Sequence, residues 1–376
     1  MLNRTTIGVF GPTNAGKSTL VNMLTGQNTS ITSPMAGTTT DPVKKSMEIN
    51  GIGPCVFIDT PGFDDDTALG TQRVTRAKEI LRGTDIAIIV LPSDEEVSPR
   101  TKQWIELVKS HAARTIMVTN DFGNHKAHDE SIMINALTGE NREELLLALG
   151  HIKERIAEER TIVTHLTKPG NKVLLVMPQD KQAPQGRLIL PQVQTIRELL
   201  DHGCTAVCCT PENYVENLNI KPDLIITDSQ AFDFVYKNKP EGVKLTSFSV
   251  LMAQWKGDIE AFAEGAKAFA KLNGKSRILI AEACTHAPLS EDIGREKIPA
   301  LIRKTIDPAI QFDIVAGNDW TKNIEKYDLV IHCGACMINR REMLSRIEAA
   351  RKAGVPITNY GITIAYFTRI LDKIVY

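Results

Sequence analysis

Short apolar runs alternate with helix-period segments along most of the chain. Up to about residue 165 the runs Thr6–Phe10, Cys55–Asp59, Ile86–Leu91 and Thr115–Thr119 stand out. Such runs predict strands buried on both faces, the condition of a parallel sheet covered by helices. An amphipathic helix over Asn141–Arg160 closes this segment, and Thr167-Lys-Pro-Gly170 reads as a linker. A second strand series follows at Lys172–Met177, Ala206–Cys209, Leu224–Thr227 and Leu245–Leu251, and Lys256-Gly257 breaks it. A helix over Asp258–Leu272 leads to a third series, Arg277–Ala281, Phe312–Ala316, Leu329–His332 and Ile357–Ile364.

The second and third series resemble each other. Lys172-Val-Leu-Leu-Val matches Arg277-Ile-Leu-Ile-Ala at an offset of 105, and Asp223-Leu-Ile-Ile matches Asp328-Leu-Val-Ile at the same offset. Val243-Lys-Leu-Thr-Ser-Phe matches Val355-Pro-Ile-Thr-Asn-Tyr after a drift of seven. This reads as an internal duplication, in which Cys284, Cys333 and Cys336 fall where the first copy has Gln179, Asp228 and Ala231. The expected fold is α/β in three domains, 1–166, 170–256 and 258–376, the last two being related Rossmann/flavodoxin-like domains.

Composition narrows the functions. Lys+Arg 44 against Asp+Glu 45 gives a net charge of −1, which points to neither a polyanion-binding surface nor acidic disorder. Seven cysteines with no signal peptide and no membrane-spanning apolar run predict reduced thiols and a cytoplasmic protein. Clustered thiols then lean toward metal.

Gly11-Pro-Thr-Asn-Ala-Gly16-Lys17-Ser18 follows an apolar strand and precedes the helical Thr19–Leu24, the context of a phosphate-binding loop. Backbone N–H groups of Asn14, Ala15, Gly16, Lys17, Ser18 and Thr19 would surround the phosphates, aided by the helix N-terminus. Lys17 is expected to reach the β/γ-phosphates and Ser18 to bind Mg²⁺. Gly37-Thr38-Thr39-Thr40-Asp41 suits a switch segment whose Thr39 completes the Mg²⁺ shell and senses the γ-phosphate. In Asp59-Thr-Pro-Gly62, Asp59 holds the metal through water and the Gly62 amide contacts the γ-phosphate. Lys17, Thr39 and Gly62 are thus the expected catalytic groups.

Loop, threonine and Asp-x-x-Gly in this order resemble a translation-factor-related GTPase of the Era/TrmE type. Phe63 stands where Ras-like proteins carry a water-orienting glutamine, so the resemblance implies slow intrinsic hydrolysis. Asn14 matches the asparagine that holds K⁺ in potassium-activated members, which implies K⁺ stimulation. The family's Asn-Lys-x-Asp base-reading motif is replaced by Asn120-Asp-Phe-Gly123, leaving Asn120 as the candidate base contact. Ile134-Asn-Ala-Leu-Thr-Gly139 resembles the loop that backs the base, with Asn135 in place of serine.

Cys333-x-x-Cys336 ends an apolar strand and Cys284 ends another, so the three thiols can converge at the C-terminal edge of a β/α sheet. Three cysteines and a replaceable fourth ligand suit a [4Fe-4S] cluster, and a Cys₃His zinc site fits the spacing equally well. His286, His332 and Glu282 are candidates for the fourth position, the histidines also for a supporting role, and Asn339 and Arg340 for anion contacts.

Cys284-Thr-His286 and His332-Cys-Gly-Ala-Cys336 behind such a GTPase, with Ala183–Thr195 and Thr358-Asn-Tyr-Gly361, resemble the [FeFe]-hydrogenase maturation GTPases, the HydF family, over essentially the full length. The resemblance implies an N-terminal GTPase domain, a central dimerisation domain and a C-terminal domain holding a [4Fe-4S] cluster through Cys284, Cys333 and Cys336. It implies a GTP- and Mg²⁺-dependent homodimer that scaffolds and carries a transient diiron subcluster, with two radical-SAM maturases and the apo-[FeFe]-hydrogenase as partners. No nucleic acid or membrane partner is expected. The alternative is a zinc-binding Era/TrmE-like GTPase acting in RNA or ribosome maturation, against which the near-zero charge argues.

Overall fold

The computed structural model describes residues 4–26, 43–49, 52–62, 68–112, 114–123, 126–158, 161–178, 188–283, 292–317, 320, 323–335 and 338–376. They divide into two compact units, Met1–Glu159 and Arg160–Tyr376.

The first unit holds a six-stranded sheet of Thr5–Phe10 (β1), Val43–Ile49 (β2), Gly53–Asp59 (β3), Ile86–Pro92 (β4), Arg114–Asn120 (β5) and Ser131–Ile134 (β6), in the order β2-β3-β1-β4-β5-β6. All pairs are parallel except β2 with β3. Every residue of β4 is buried, as expected of a central strand. Two strands escape the pattern of apolar runs. β2 is an edge strand carrying Lys44, Lys45, Ser46 and Glu48, and β6 is only four residues long.

The second unit carries two four-stranded parallel sheets. The first is built from Lys172–Val176 (β7), Thr205–Cys209 (β8), Leu224–Thr227 (β9) and Lys244–Ser247 (β10). The second is built from Arg277–Glu282 (β11), Gln311–Ala316 (β12), Leu329–His332 (β13) and Ile357–Asn359 (β14). Their orders, β10-β9-β7-β8 and β12-β11-β13-β14, are the same topology read from opposite edges. The correspondence reaches single hydrogen bonds. Lys172 N donates to Asp223 Oδ2 and Arg277 N to Asp328 Oδ2, both at 2.8 Å and both spanning 51 residues. Buried residues of both sheets, among them Leu174, Ile225, Ile278 and Val330, belong to one continuous core.

Two expected strands are corrected in the same way. The run Leu245–Leu251 is strand only to Ser247 and then becomes the helix Phe248–Lys256. Ile357–Ile364 is strand only to Asn359 and then becomes the helix Tyr360–Phe367. Ser247 Oγ accepts from Val250 N, and Asn359 Oδ1 from Ile362 N. One capping side chain in each copy, Ser247 and Asn359, ends the strand and starts the helix.

Candidate functional site

The phosphate-loop sequence joins β1 to the helix Lys17–Thr25. Asn14 (φ 61°) and Gly16 (φ 86°) are both left-handed, which turns successive N–H groups toward one concavity. A Cβ at Gly16 would overlap the Asn120 side-chain amide, so the loop and β5 approach closely only through glycine. Lys17 is buried, and its Nζ donates to the Pro12 carbonyl at 2.5 Å. Ala15 is buried, while Asn14 and Ser18 are exposed at the loop's outer side. Thr19 is half-buried in the first turn of the helix.

Ser18 Oγ donates to Asp59 Oδ2 at 2.5 Å. The other oxygen, Asp59 Oδ1, is shielded from solvent and has no hydrogen-bond partner among the described residues. Burial pushes the Asp59 carboxyl above the usual range, against the Ser18 hydrogen bond and the charges of Lys17 and Lys45. A hydroxyl beside a carboxylate that keeps one oxygen unsatisfied fits a hard divalent cation such as Mg²⁺. Thr60 Oγ1 donates to Val9 O at 2.7 Å and anchors the following turn, where Gly62 lies against Thr13 so closely that a Cβ would overlap it. Thr39 and Phe63 lie outside the described residues.

Asn120 is buried, with both ends of its amide engaged. Nδ2 donates to Ala15 O and Oδ1 accepts from Ala136 N, each at 3.1 Å. It therefore ties the phosphate loop to the loop after β6. Asp121 turns inward, its Oδ1 accepting from Ser93 Oγ at 3.2 Å and Gly123 N at 2.9 Å. Gly123 has φ 104°, a conformation that disfavours the aspartate found there in the usual motif. Asn135 Oδ1 accepts from Leu137 N and Thr138 N, both at 3.0 Å, and so shapes the backing loop.

In the second unit β11, β13 and β14 lie side by side, with Ala281 level with His332 and His332 level with Asn359. Cys333 follows β13 directly. Its N donates to Ala281 O at 2.9 Å, and its Sγ accepts from Ala283 N at 3.1 Å. Cys284, His286 and Cys336 lie outside the described residues, among which no group of three His, Cys, Asp or Glu is placed to hold a metal.

Two candidates for a fourth ligand are otherwise engaged. His332 is fully buried, with Nδ1 2.9 Å from Cys333 O and Nε2 3.2 Å from Arg346 Nη1. Arginine only donates, so Nε2 accepts and Nδ1–H donates to the carbonyl. Burial, reinforced by Arg346, holds the imidazole down to about 4 despite the Cys333 carbonyl. Glu282 is buried and faces Arg295 through both oxygens, at 2.7 and 3.2 Å. Asn339 caps the helix Arg340–Lys352, accepting from Glu342 N at 2.9 Å. Arg340 donates to Gln254 O at 2.6 Å, Trp255 O at 3.0 Å and Gly257 O, so its guanidinium sits on the end of the helix Phe248–Lys256. Both side chains serve architecture.

Residues 260–376 match the model of the hydrogen maturase F tetramerization domain, and residues 162–257 that of the hydrogen maturase F dimerization domain. The chain belongs to the hydrogen maturase F family. Residues 6–121 match a third model, the 50S ribosome-binding GTPase. Among individual relatives, GTPase Der of Sulfurimonas denitrificans is 34% identical over 135 residues, 35% of this chain and 27% of that protein. GTPase Era of Rippkaea orientalis is 28% identical over 222 residues, 54% of this chain and 66% of that protein. The chain thus spans between about a quarter and two thirds of these relatives' length. The crystal structure of Aquifex aeolicus Era bound to GDP·AlF4⁻ aligns with a TM-score of 0.36 at 21% identity, over 55% of this chain and 92% of that one.

Within this hydrogen maturase F chain, two site residues carry no sequence signal. Lys45 is buried on β2 near Asp59, where an isolated lysine in a polar stretch reads as surface. Arg346, buried against His332, sits fourteen positions downstream of it in the helix Arg340–Lys352, where no motif marks it. No helix among the described residues is long and apolar enough to cross a membrane.

Proposed function

We propose that this chain is a GTP-hydrolysing scaffold and carrier that assembles the diiron subcluster of [FeFe]-hydrogenase and delivers it to the apo-enzyme. The observation that carries this reading is the match of two hydrogen maturase F domains behind a GTPase domain. In this reading the functional divisions are 1–166, 170–256 and 258–376. The domain names support a self-associating protein built on a homodimer. Two radical-SAM maturases and the apo-hydrogenase are its partners, nucleic acid and membrane are not, and the cytoplasm is its compartment.

In the first unit the N–H groups of residues 14–19 cradle the phosphates, and Lys17 leaves Pro12 O to meet them. Ser18 and Thr39 ligate Mg²⁺, and Asp59 orients its water shell. The Gly62 amide meets the γ-phosphate. Asn120 holds the loop beneath the base, and Asn14 contributes to a K⁺ site. With Phe63 in the place of a catalytic glutamine, intrinsic hydrolysis is slow, and replacing Na⁺ by K⁺ speeds it.

In the second unit Cys284, Cys333 and Cys336 hold a [4Fe-4S] cluster. Such a group supplies an iron with one exchangeable position. Cys333 fits it: its sulfur already accepts a backbone N–H, an arrangement that favours the thiolate. In this reading His286 or an exogenous ligand takes the fourth position, which the engagement of His332 and Glu282 by other partners supports. His332 instead braces the Cys333 carbonyl.

Anaerobic reconstitution tests the reading. The protein should turn brown, with a broad absorbance near ~400 nm expected of iron–sulfur centres. Colourless protein carrying one zinc would sink it. Cys333→Ser should abolish the colour and leave GTP hydrolysis nearly intact, and equal loss of both would refute separable sites.

A further inference from the structure

Tyr360 opens the helix that follows β14, as Cys333 opens the loop that follows β13. The register of His332 with Asn359 sets these two residues next to each other at the C-terminal edge of the sheet. The Tyr360 hydroxyl oxygen is shielded from solvent and has no hydrogen-bond partner among the described residues. It presses on Gly294 so closely that a Cβ there would overlap it. The charged and titratable groups facing it are Cys333, Glu282, Asp292 and Arg295.

A shielded hydroxyl with no partner destabilises the fold, a cost that phenylalanine in the same space would avoid. A phenol keeps its proton at physiological pH, so what the hydroxyl lacks is an acceptor. The neighbouring carboxylates already accept from other donors: Glu282 from Arg295, and Asp292 Oδ1 from the N–H groups of Gly294 and Arg295 at 2.8 Å. Glycine at 294 preserves the space the hydroxyl occupies.

We infer that Tyr360 is a positioning residue whose O–H donates to an anionic acceptor arriving with the group bound at Cys333. The acceptor is a sulfide of that group or a small anion on its exchangeable metal. This rests on the cluster-binding reading above. No covalent step is involved; the hydroxyl contributes one hydrogen bond that the metal-free protein lacks.

Tyr360→Phe tests it in two states. Without metal, the variant should melt at the same temperature as the parent protein or higher, because it loses an unsatisfied group. A clear drop would mean that the hydroxyl has a structural partner, and would overturn the inference. After anaerobic reconstitution, iron and sulfide contents should equal those of the parent protein. A reduction potential shifted negative in a spectroscopic titration identifies a sulfide acceptor. A cyanide dissociation constant raised about fivefold, the equivalent of one ordinary hydrogen bond, identifies a ligand on the exchangeable metal. Gly294→Ala, which displaces the hydroxyl, should reproduce whichever change is seen. If neither quantity moves, the hydroxyl holds only water and the inference is wrong. If the parent protein assembles no cluster, the cluster-binding reading itself has failed, and the inference falls with it.

Discussion

Arg346 Nη1 lies 3.2 Å from Nε2 of His332, the buried last residue of the strand that delivers Cys333. A permanent cation facing one ring nitrogen forces that nitrogen to accept, and the other then donates to the Cys333 carbonyl. Burial, reinforced by the Arg346 charge, holds the imidazole neutral, and the ring fixes the peptide that carries the thiol.

His332 makes the stability of the fold depend on pH. With a folded value near 4 against 6.5 unfolded, the unfolded chain binds the additional proton between those limits. The contribution of His332 is therefore complete above pH 6.5 and is lost as pH falls toward 4. Its upper size is about 3 kcal/mol for a fully buried group. Urea unfolding of the metal-free protein and of His332→Gln across this range should give a smaller pH slope for the variant. Parallel slopes would show that the imidazole is not held neutral.

Asp59 sets function against stability. Burial outweighs its cationic neighbours and raises its carboxyl value, so the ionised form is disfavoured in the metal-free fold. Asp59→Asn should melt at a higher temperature at neutral pH without nucleotide. The same variant should lose the Mg²⁺ dependence of nucleotide binding, read by fluorescent GTP titration with and without the metal. A lower melting temperature would mean that the charge is well compensated.

Gly16 is held to glycine by its left-handed backbone and by the nearness of Asn120. Gly16→Ala should break the Asn120–Ala15 hydrogen bond and displace the phosphate loop. Nucleotide affinity should fall at least about tenfold, corresponding to the ~1–3 kcal/mol of one disrupted buried amide. Absorbance and metal content of the second unit should be unaffected.

Arg340 reaches three carbonyls at the end of the helix Phe248–Lys256, and Lys256 Nζ returns a bond to Ile338 O at 3.0 Å. The segment just after Cys336 is thus fastened to the helix that follows β10. Arg340→Ala should cost about 1–3 kcal/mol and raise hydrogen exchange at both ends of this bridge. Arg340→Lys, which lacks the planar fork, should recover only part of it.

Much of this protein was legible in its order of residues. Continuous apolar runs gave the parallel strands β1, β4, β7 and β11, because burial on both faces leaves no polar alternation to obscure them. The phosphate loop is readable because Gly16 and Lys17 act through backbone freedom and one reach of side chain, both local properties. The duplication likewise shows in Asp223 and Asp328, whose carboxylates perform one task in each copy.

Other features were decided only by folding. Where a strand stops and a helix begins after Ser247 and Asn359 depends on a capping bond that forms only once the backbone turns. The neutral state of His332, the inward turn of Asp121 and the burial of Lys45 depend on residues distant in sequence or on the loss of water. Composition cannot register either. Residue order alone establishes which chemistries are present: a phosphate cradle, a set of thiols and two related sheets. The tertiary structure decided which side chains remain available for that chemistry and which are spent holding the backbone, because desolvation and hydrogen-bond partners exist only once the chain has packed.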